Sequence, residues 1–382
     1  MIDFELSDDQ RALQRLSREF TEREITPVAA ALDRTGEFPL AVLQKAYEAG
    51  LLHVSVPERY GGGGLSAVDE LIVREENAAG CTGITTAMGA SALAVRPLLL
   101  AASEELKRAY LGQLCDEFGL ASYALTEPAA GSDVAGIGTT AARHGDEYVL
   151  NGAKRWITGA RYARWMVVFA YTDPAAHRDG ISAFVVPAGT PGLSISRTED
   201  MMGQRASNTA EVLLQDVRVP ASNIVGGEGL GFKLAMATFN YTRPGVAVAA
   251  VGLARSALDH ALGYARERMA FGQPIASFEA VQMMLADMAI DIAAARHLAM
   301  HAAWLNDRGQ PSARESASAK AFAGDMCMRA ATNAVQIFGG AGYSRDAPVE
   351  KLMRDAKIFQ IYEGTSEIQR LTIARELLGR SG

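Results

Sequence analysis

A chain of 382 residues exceeds what one small hydrophobic core organises, which predicts two or three folding units. Hydrophobic residues at 49% and charged residues at 21% are ordinary for a water-soluble globular protein. A net charge of −7 with pI near 5.5 excludes a basic nucleic-acid face. Cys81, Cys115 and Cys327 are widely spaced without a C-x-x-C pair and read as buried thiols of a reducing compartment. Ser7 caps the first predicted helix, leaving no signal or transit segment, and no uncharged apolar run reaches about 18 residues. The expectation is a cytoplasmic chain without a membrane span.

From residue 7 to about 118 the period is helical. Leu13, Leu16 and Phe20 recur at three- and four-residue spacing behind the Ser7 cap. Pro27, Gly36, Pro39, Gly50, Pro57 and Gly61–Gly64 divide the segment into several helices. The glycine run lacks the Lys-Ser/Thr of a phosphate-binding loop and reads as a plain loop.

Between about 120 and 225 the pattern changes to short β-branched and aromatic runs at Trp165–Tyr171, Ile181–Val186 and Ala210–Leu214. Gly, Pro and Asp bound these runs, so they predict strands of a small β-domain. After Gly226–Gly231 helical periodicity returns, with Phe278, Val281, Leu285, Met288 and Ile292 on one apolar stripe. Ala-rich stretches such as Ala247–Ala254 let these helices pack closely. The order is α, β, α.

Several residues could carry chemistry. In Ile358–Ser366 a lone carboxylate, Glu363, follows an apolar run and precedes a helix break. Desolvation there raises its proton affinity and makes it a base near neutral pH, although a Glu beside Gly-Thr-Ser also serves as an ordinary element end. Thr126–Glu127–Pro128 followed by Gly131–Ser132–Asp133 makes a tight turn with free N–H groups and hydroxyls. Such a turn can hold a planar heterocycle or a phosphate, or simply close a strand. Glu127 itself reads as a structural turn residue. Gly339 and Gly340 end a helix and lack the G-x-G-x-x-G spacing of a dinucleotide fingerprint, so alone they are a C-cap. His297 and His301 have zinc-ligand spacing but no third ligand, so no metal is expected.

The stretches Ala124–Asp133, Gln336–Tyr343 and Tyr362–Thr365, in this order, resemble the acyl-CoA dehydrogenase family of flavoproteins, its medium-chain members above all. Lys351 and Asp355 extend the second signature, and the likeness runs from Leu6 to Leu378. The resemblance implies an α+β fold with an N-terminal helical domain at 1–119, a β-barrel or sandwich at 120–225 and a four-helix bundle at 226–382. It implies that Tyr123, Leu125, Thr126, Gly131, Ser132, Trp156 and Thr158 bind FAD, together with Thr365 and Glu367. Arg268, Phe271, Gln336, Gly339 and Gly340 would hold the nucleotide half of an FAD seated in a neighbouring subunit, which implies a homotetramer built as a dimer of dimers. Ser132, Asn240, Arg243, Tyr362 and Gly364 would meet the acyl-CoA substrate. Asn240 replaces an acid of medium-chain relatives, and Glu367 a frequent Gln. Thr85 and Gly89 are smaller than the Gln and Glu of those relatives, predicting an open pocket floor for medium or longer chains.

The implied reaction is α,β-dehydrogenation of an acyl-CoA in fatty acid β-oxidation. Glu363 takes the α-proton, the β-hydrogen leaves as hydride to flavin N5, and electrons pass to an electron-transfer flavoprotein. Glu199 matches a position proposed to face that partner, while on residues alone it is a solvated surface acid. A flavin oxidase, a dehydrogenase of carrier-protein thioesters and a non-catalytic acyl-CoA scaffold are the alternatives. An Asp-based nitroalkane oxidase and a monooxygenase lacking the base both disagree with Glu363.

Overall fold

The computed structural model describes residues 5–379. Helix α1 (Asp8–Phe20) starts at Ser7, whose hydroxyl accepts from the Gln10 amide while the Gln10 side chain accepts from the Ser7 amide. Two orphan donors are satisfied, and Asp8 and Asp9 complement the helix dipole. A wide turn at Thr21–Ile25 carries the chain directly into α2 (Thr26–Thr35). Pro27 sits in its first turn, where no N–H is needed, so it starts a helix instead of interrupting one. The segment continues through α3 (Leu40–Glu48), α4 (Ala67–Gly80), α5 (Thr82–Ala101) and α6 (Glu104–Cys115).

The middle unit is one curled seven-stranded sheet of β1 (Ala121–Ala124), β2 (Thr140–His144), β3 (Glu147–Thr158), β4 (Trp165–Tyr171), β5 (Ile181–Pro187), β6 (Leu193–Thr198) and β7 (Thr209–Pro220). All seven residues of β4 are buried, which is why that run reads as continuously apolar. It pairs parallel with β1 and antiparallel with β5. Inside the sheet Lys154 is fully buried and its ammonium lies 2.6 Å from the Glu127 carboxylate. Glu127 also accepts from the Gly138 and Thr139 amides and the Thr139 hydroxyl. Burial favours protonation of Glu127, but the Lys154 charge and these donors outweigh it and hold the carboxyl below its usual range. Burial pulls Lys154 down to about 8 against the pull of Glu127. Glu127 is therefore a structural residue of the turn, in agreement with the sequence reading.

The last unit begins with the 37-residue α7 (Gly231–Glu267), followed by the short hairpin of β8 (Met269–Ala270) and β9 (Gln273–Pro274). Helices α8 (Glu279–Asp307), α9 (Ala313–Phe338), α10 (Pro348–Ala356) and α11 (Ser366–Leu377) complete it. Met288 and Ile292 of the predicted stripe are buried, with Val281 and Leu285 packed on the same core. Helices α5 and α7 are long and apolar enough to cross a membrane by length and composition, yet half or more of each apolar window is buried within the fold. All three cysteines are buried free thiols.

Helix α4 lies against α7 at Gly252, where a β-carbon would come within 2.4 Å of the Glu75 carbonyl oxygen. Arg255 braces the same contact and Arg296 ties α8 to it, both 2.6 Å from the Glu75 carboxylate. Gly252→Ala is expected to destabilise the protein by about 1–3 kcal/mol through overpacking, read as a lower denaturation midpoint with an unchanged slope.

Candidate active site

Glu363 occupies a turn between Gln360 and α11, with φ of +52°, followed by Gly364 at +94°. A left-handed glutamate is strained, and the surroundings hold it in place. Arg243 Nε donates to the Glu363 carbonyl at 3.2 Å, Gln369 Nε2 to the Glu363 and Gly364 carbonyls at 3.2 and 2.9 Å, and Lys320 Nζ to the Gly364 carbonyl at 2.5 Å. Thr365 caps α11 through the Ile368 amide. The backbone is thus fixed from three helices, and the Glu363 N–H is left without an acceptor among the described residues.

The Glu363 side chain is half-buried. Thr242 Oγ1 donates to its Oε2 at 2.7 Å. Burial raises its pKa above the carboxylate range, opposed by that hydrogen bond and by the charges of Arg74, Arg243 and Lys320. Lys320, fully buried on α9, is itself pulled down to about 8 by burial, with Glu363 opposing. Arg243 is buried and also donates to Asn240 Oδ1 at 3.0 Å, so Asn240 orients Arg243 within the chain. Tyr362, just before the turn, packs edge-on against Phe359.

A chain of contacts joins this turn to the sheet. The Arg243 guanidinium lies over the Phe239 ring at 5.7 Å, and Phe239 meets Tyr123 of β1 edge-on at 5.8 Å. The Tyr123 hydroxyl is buried without a hydrogen-bond partner and feels the Glu363 charge. Leu125 and Thr126 follow directly, and the Thr126 carbonyl accepts from the Arg155 amide at 2.8 Å. That contact ties β1 to a bulge in β3, where pairing with β7 shifts between Lys154 and Ile157. Trp156 sits in the bulge with φ of +64° and an indole 45% exposed. Arg155 covers the indole at 4.5 Å and is held by Glu199 at 2.9 Å.

The surface so formed suits a planar heterocycle. It offers an exposed aromatic face, a buried unpartnered Tyr123 hydroxyl, and Thr126 and Thr158 hydroxyls with no partner among the described residues. Gly131 and Ser132 are exposed on the following turn, and a β-carbon at Gly131 would meet nothing within 4 Å.

The remaining residues named from the sequence lie elsewhere. Arg268 caps the far end of α7, and Phe271, with φ of +51°, is 94% exposed in the hairpin turn. Gln336, Gly339 and Gly340 are exposed at the end of α9, joined to the end of α7 by the stacked rings of Tyr264 and Phe338. At about 1.5 Å per residue, Arg268 lies about 38 Å along α7 from Arg243. Glu367 is exposed in the first turn of α11.

Two sequence expectations need correction. The Glu199 side chain is only 6% exposed and engaged with Arg155, so it orders the wall of the groove instead of being a solvated acid. The room beside Gly89 is filled: a β-carbon there would lie 3.2 Å from Arg74 Nη1 and Nη2, so the floor is closed by an arginine from α4. The residues that sequence reasoning missed are Thr242, Lys320 and Arg74. Lys320 left a signal as a cation amid the alanines of the buried face of α9. Thr242 and Arg74 left none, the latter reading as an ordinary i,i+4 surface pair with Glu70.

Three family descriptions match in sequence: acyl-CoA dehydrogenase N-terminal domain over residues 7–117, middle domain over 122–217 and C-terminal domain over 229–378. The chain is 47% identical to the "Probable acyl-CoA dehydrogenase YngJ" of Bacillus subtilis (strain 168), covering 99% of this chain and all of that one. Among solved structures, butyryl-CoA dehydrogenase from Megasphaera elsdenii matches with a TM-score of 0.96 at 39% identity over 99% of this chain and 100% of that one. A chain from work on the electron transferring flavoprotein of Acidaminococcus fermentans matches at 0.97 and 41% identity, with coverage of 99% and 100%. This chain belongs to the acyl-CoA dehydrogenase family, a family of flavin-linked oxidoreductases.

Proposed function

We propose that the protein catalyses α,β-dehydrogenation of an acyl-CoA thioester to the trans-2-enoyl product, with Glu363 as the base. The observation that carries this reading is the conformation of the Glu363 turn. It gives one residue both a proton-hungry carboxylate and an uncommitted N–H. An α-proton beside a thioester is too weak an acid for a carboxylate in water. The Glu363 N–H, held rigid by Arg243, Gln369 and Lys320, donates to the thioester oxygen as negative charge develops there. One preorganised donor of this type contributes about 3–4 kcal/mol. Tyr362 and Gly364 shape the thioester side of the turn, and closure around the substrate strengthens these terms by excluding water.

Thr126, Trp156 and Thr158 would hold the flavin ring of FAD, with Tyr123, Leu125, Gly131 and Ser132 around it and Thr365 and Glu367 towards its phosphates. FAD bound there supplies the acceptor for the β-hydride. Arg268, Phe271, Gln336, Gly339 and Gly340 lie too far along α7 to reach a dinucleotide in their own cleft, so we assign them to the cofactor of a second copy. The exposed Met269, Phe271, Met283, Ile290 and Tyr343 around that end give such a copy an apolar surface. The working assembly is then at least a dimer, and a dimer of dimers by family resemblance. An electron-transfer flavoprotein is the proposed electron acceptor.

Glu363→Gln should retain the yellow cofactor and still bind acyl-CoA, but lose anaerobic bleaching by several orders of magnitude; bleaching near the native rate removes Glu363 as base. Because folding raises the pKa of Glu363, its ionisation costs stability above that pKa, and the cost fades as pH falls towards the unfolded value. The same variant should therefore melt higher than the wild type at pH 7 and lose that advantage in acid, as thermal scans at two pH values will read. In the wild type, kcat/KM should fall on acidification with an apparent pKa above the ordinary carboxylate value of about 4.3. Thr242→Val removes a bond that favours the ionised form and should move that acid limb to higher pH.

A further inference from the structure

The Arg74 guanidinium is inserted between two glycines on facing helices. A β-carbon at Gly89 of α5 would lie 3.2 Å from Nη1, and one at Gly245 of α7 would lie 3.1 Å from it. Gly245 follows Arg243 by two residues, so this cation borders the helix segment that holds Glu363, and its charge is felt there. Arg74 is 17% exposed and pairs with Glu70, itself 12% exposed, at 2.9 Å. Two turns beyond Gly89, Arg96 stacks its guanidinium 3.5 Å from the centre of the Tyr241 ring, with Nε buried and unpartnered. Glu70, Arg74, Thr85 and Gly89 line one cavity between α4 and α5.

The charges of this cluster do not balance. Two guanidinium groups face the carboxylate of Glu70, and the next carboxylate, Glu363, is already shared with Arg243 and Lys320. The other acid near Tyr241, Asp307, is committed to the α4 N-terminus through the Ala67 and Val68 amides at 2.6 and 3.1 Å. One positive charge in a poorly hydrated site therefore lacks a counter-charge, a costly state that an anion relieves. A methyl-ended chain brings none and would leave the guanidinium desolvated. An arginine fork is also suited to bind a carboxylate in two-point fashion.

We propose that the distal end of the acyl cleft recognises a carboxylate, so that the preferred substrates are acyl thioesters ending in an anionic group, with Arg74 as the principal contact and Arg96 as the second cation. This rests on the dehydrogenase reading above. Neutral chains of the same length leave one of the two guanidinium charges uncompensated. Glu70 competes with the substrate for Arg74 and moderates its affinity.

The test is anaerobic bleaching of the purified holoenzyme by CoA esters of matched chain length, one series methyl-ended and one carboxylate-ended. The wild type is expected to favour the carboxylate series at least tenfold in kcat/KM, chiefly through KM. Arg74→Gln should lower that ratio at least tenfold, Arg74→Lys should retain part of it, and Glu70→Gln should raise it. Wild-type preference for the methyl series overturns the proposal even if the variants do not fold, and so does a ratio unmoved in both Arg74→Gln and Arg96→Gln. In those cases the dehydrogenase reading stands, because one series still bleaches the flavin. Failure of every ester to bleach overturns both.

Discussion

The structure depends on how two buried cations are solvated beside the Glu363 carboxylate. Arg243 and Lys320 direct their hydrogen bonds at the carbonyls of Glu363 and Gly364 and leave the carboxylate oxygens free of direct ion pairs. If either bonded the carboxylate itself, its pKa would fall. Spent on the backbone, the same donors hold a left-handed turn that would otherwise relax, and their charges act on the carboxylate only at a distance. Among the described residues Thr242 is then the one donor to the Glu363 carboxylate, and a neutral one. The result is a carboxylate whose pKa stays raised and a backbone N–H that stays available.

Each structural unit contributes one boundary of the resulting groove. The sheet presents Trp156 because β3 breaks register there, and the Glu199–Arg155 pair keeps the indole in position. The C-terminal bundle supplies the turn. The N-terminal helices supply α4 and α5, whose close packing on α7 sets Arg74 between Gly89 and Gly245. Close helix approach and buried polar chemistry are linked here, since glycine and alanine make the room that arginine and lysine then fill.

Much of this could be read from the residues. Strand runs such as Trp165–Tyr171 and the stripe through Met288 and Ile292 follow from periodicity, and the structure places them as strand and core. Glu363 stood out as an isolated carboxylate in apolar company. Pairings between distant segments were not legible: Thr242 is unremarkable until α7 is laid against the turn. Gly89 signalled room on its own helix, but the occupant of that room comes from another. Glu199 looked solvated because sequence gives no view of Arg155 across the strands.

Helix α7 carries Arg243, which fixes the Glu363 turn of its own subunit, and ends at Arg268, which the proposed assignment gives to the flavin of a second copy. A mixed dimer could then separate the defects: one copy carrying Glu363→Gln and the other Arg268→Gln would concentrate both lesions in one cleft and leave the second whole. Two individually inactive chains would restore each other by half. Such intersubunit complementation is a property of the rod-like geometry of a single helix, set by where its 37 residues begin and end.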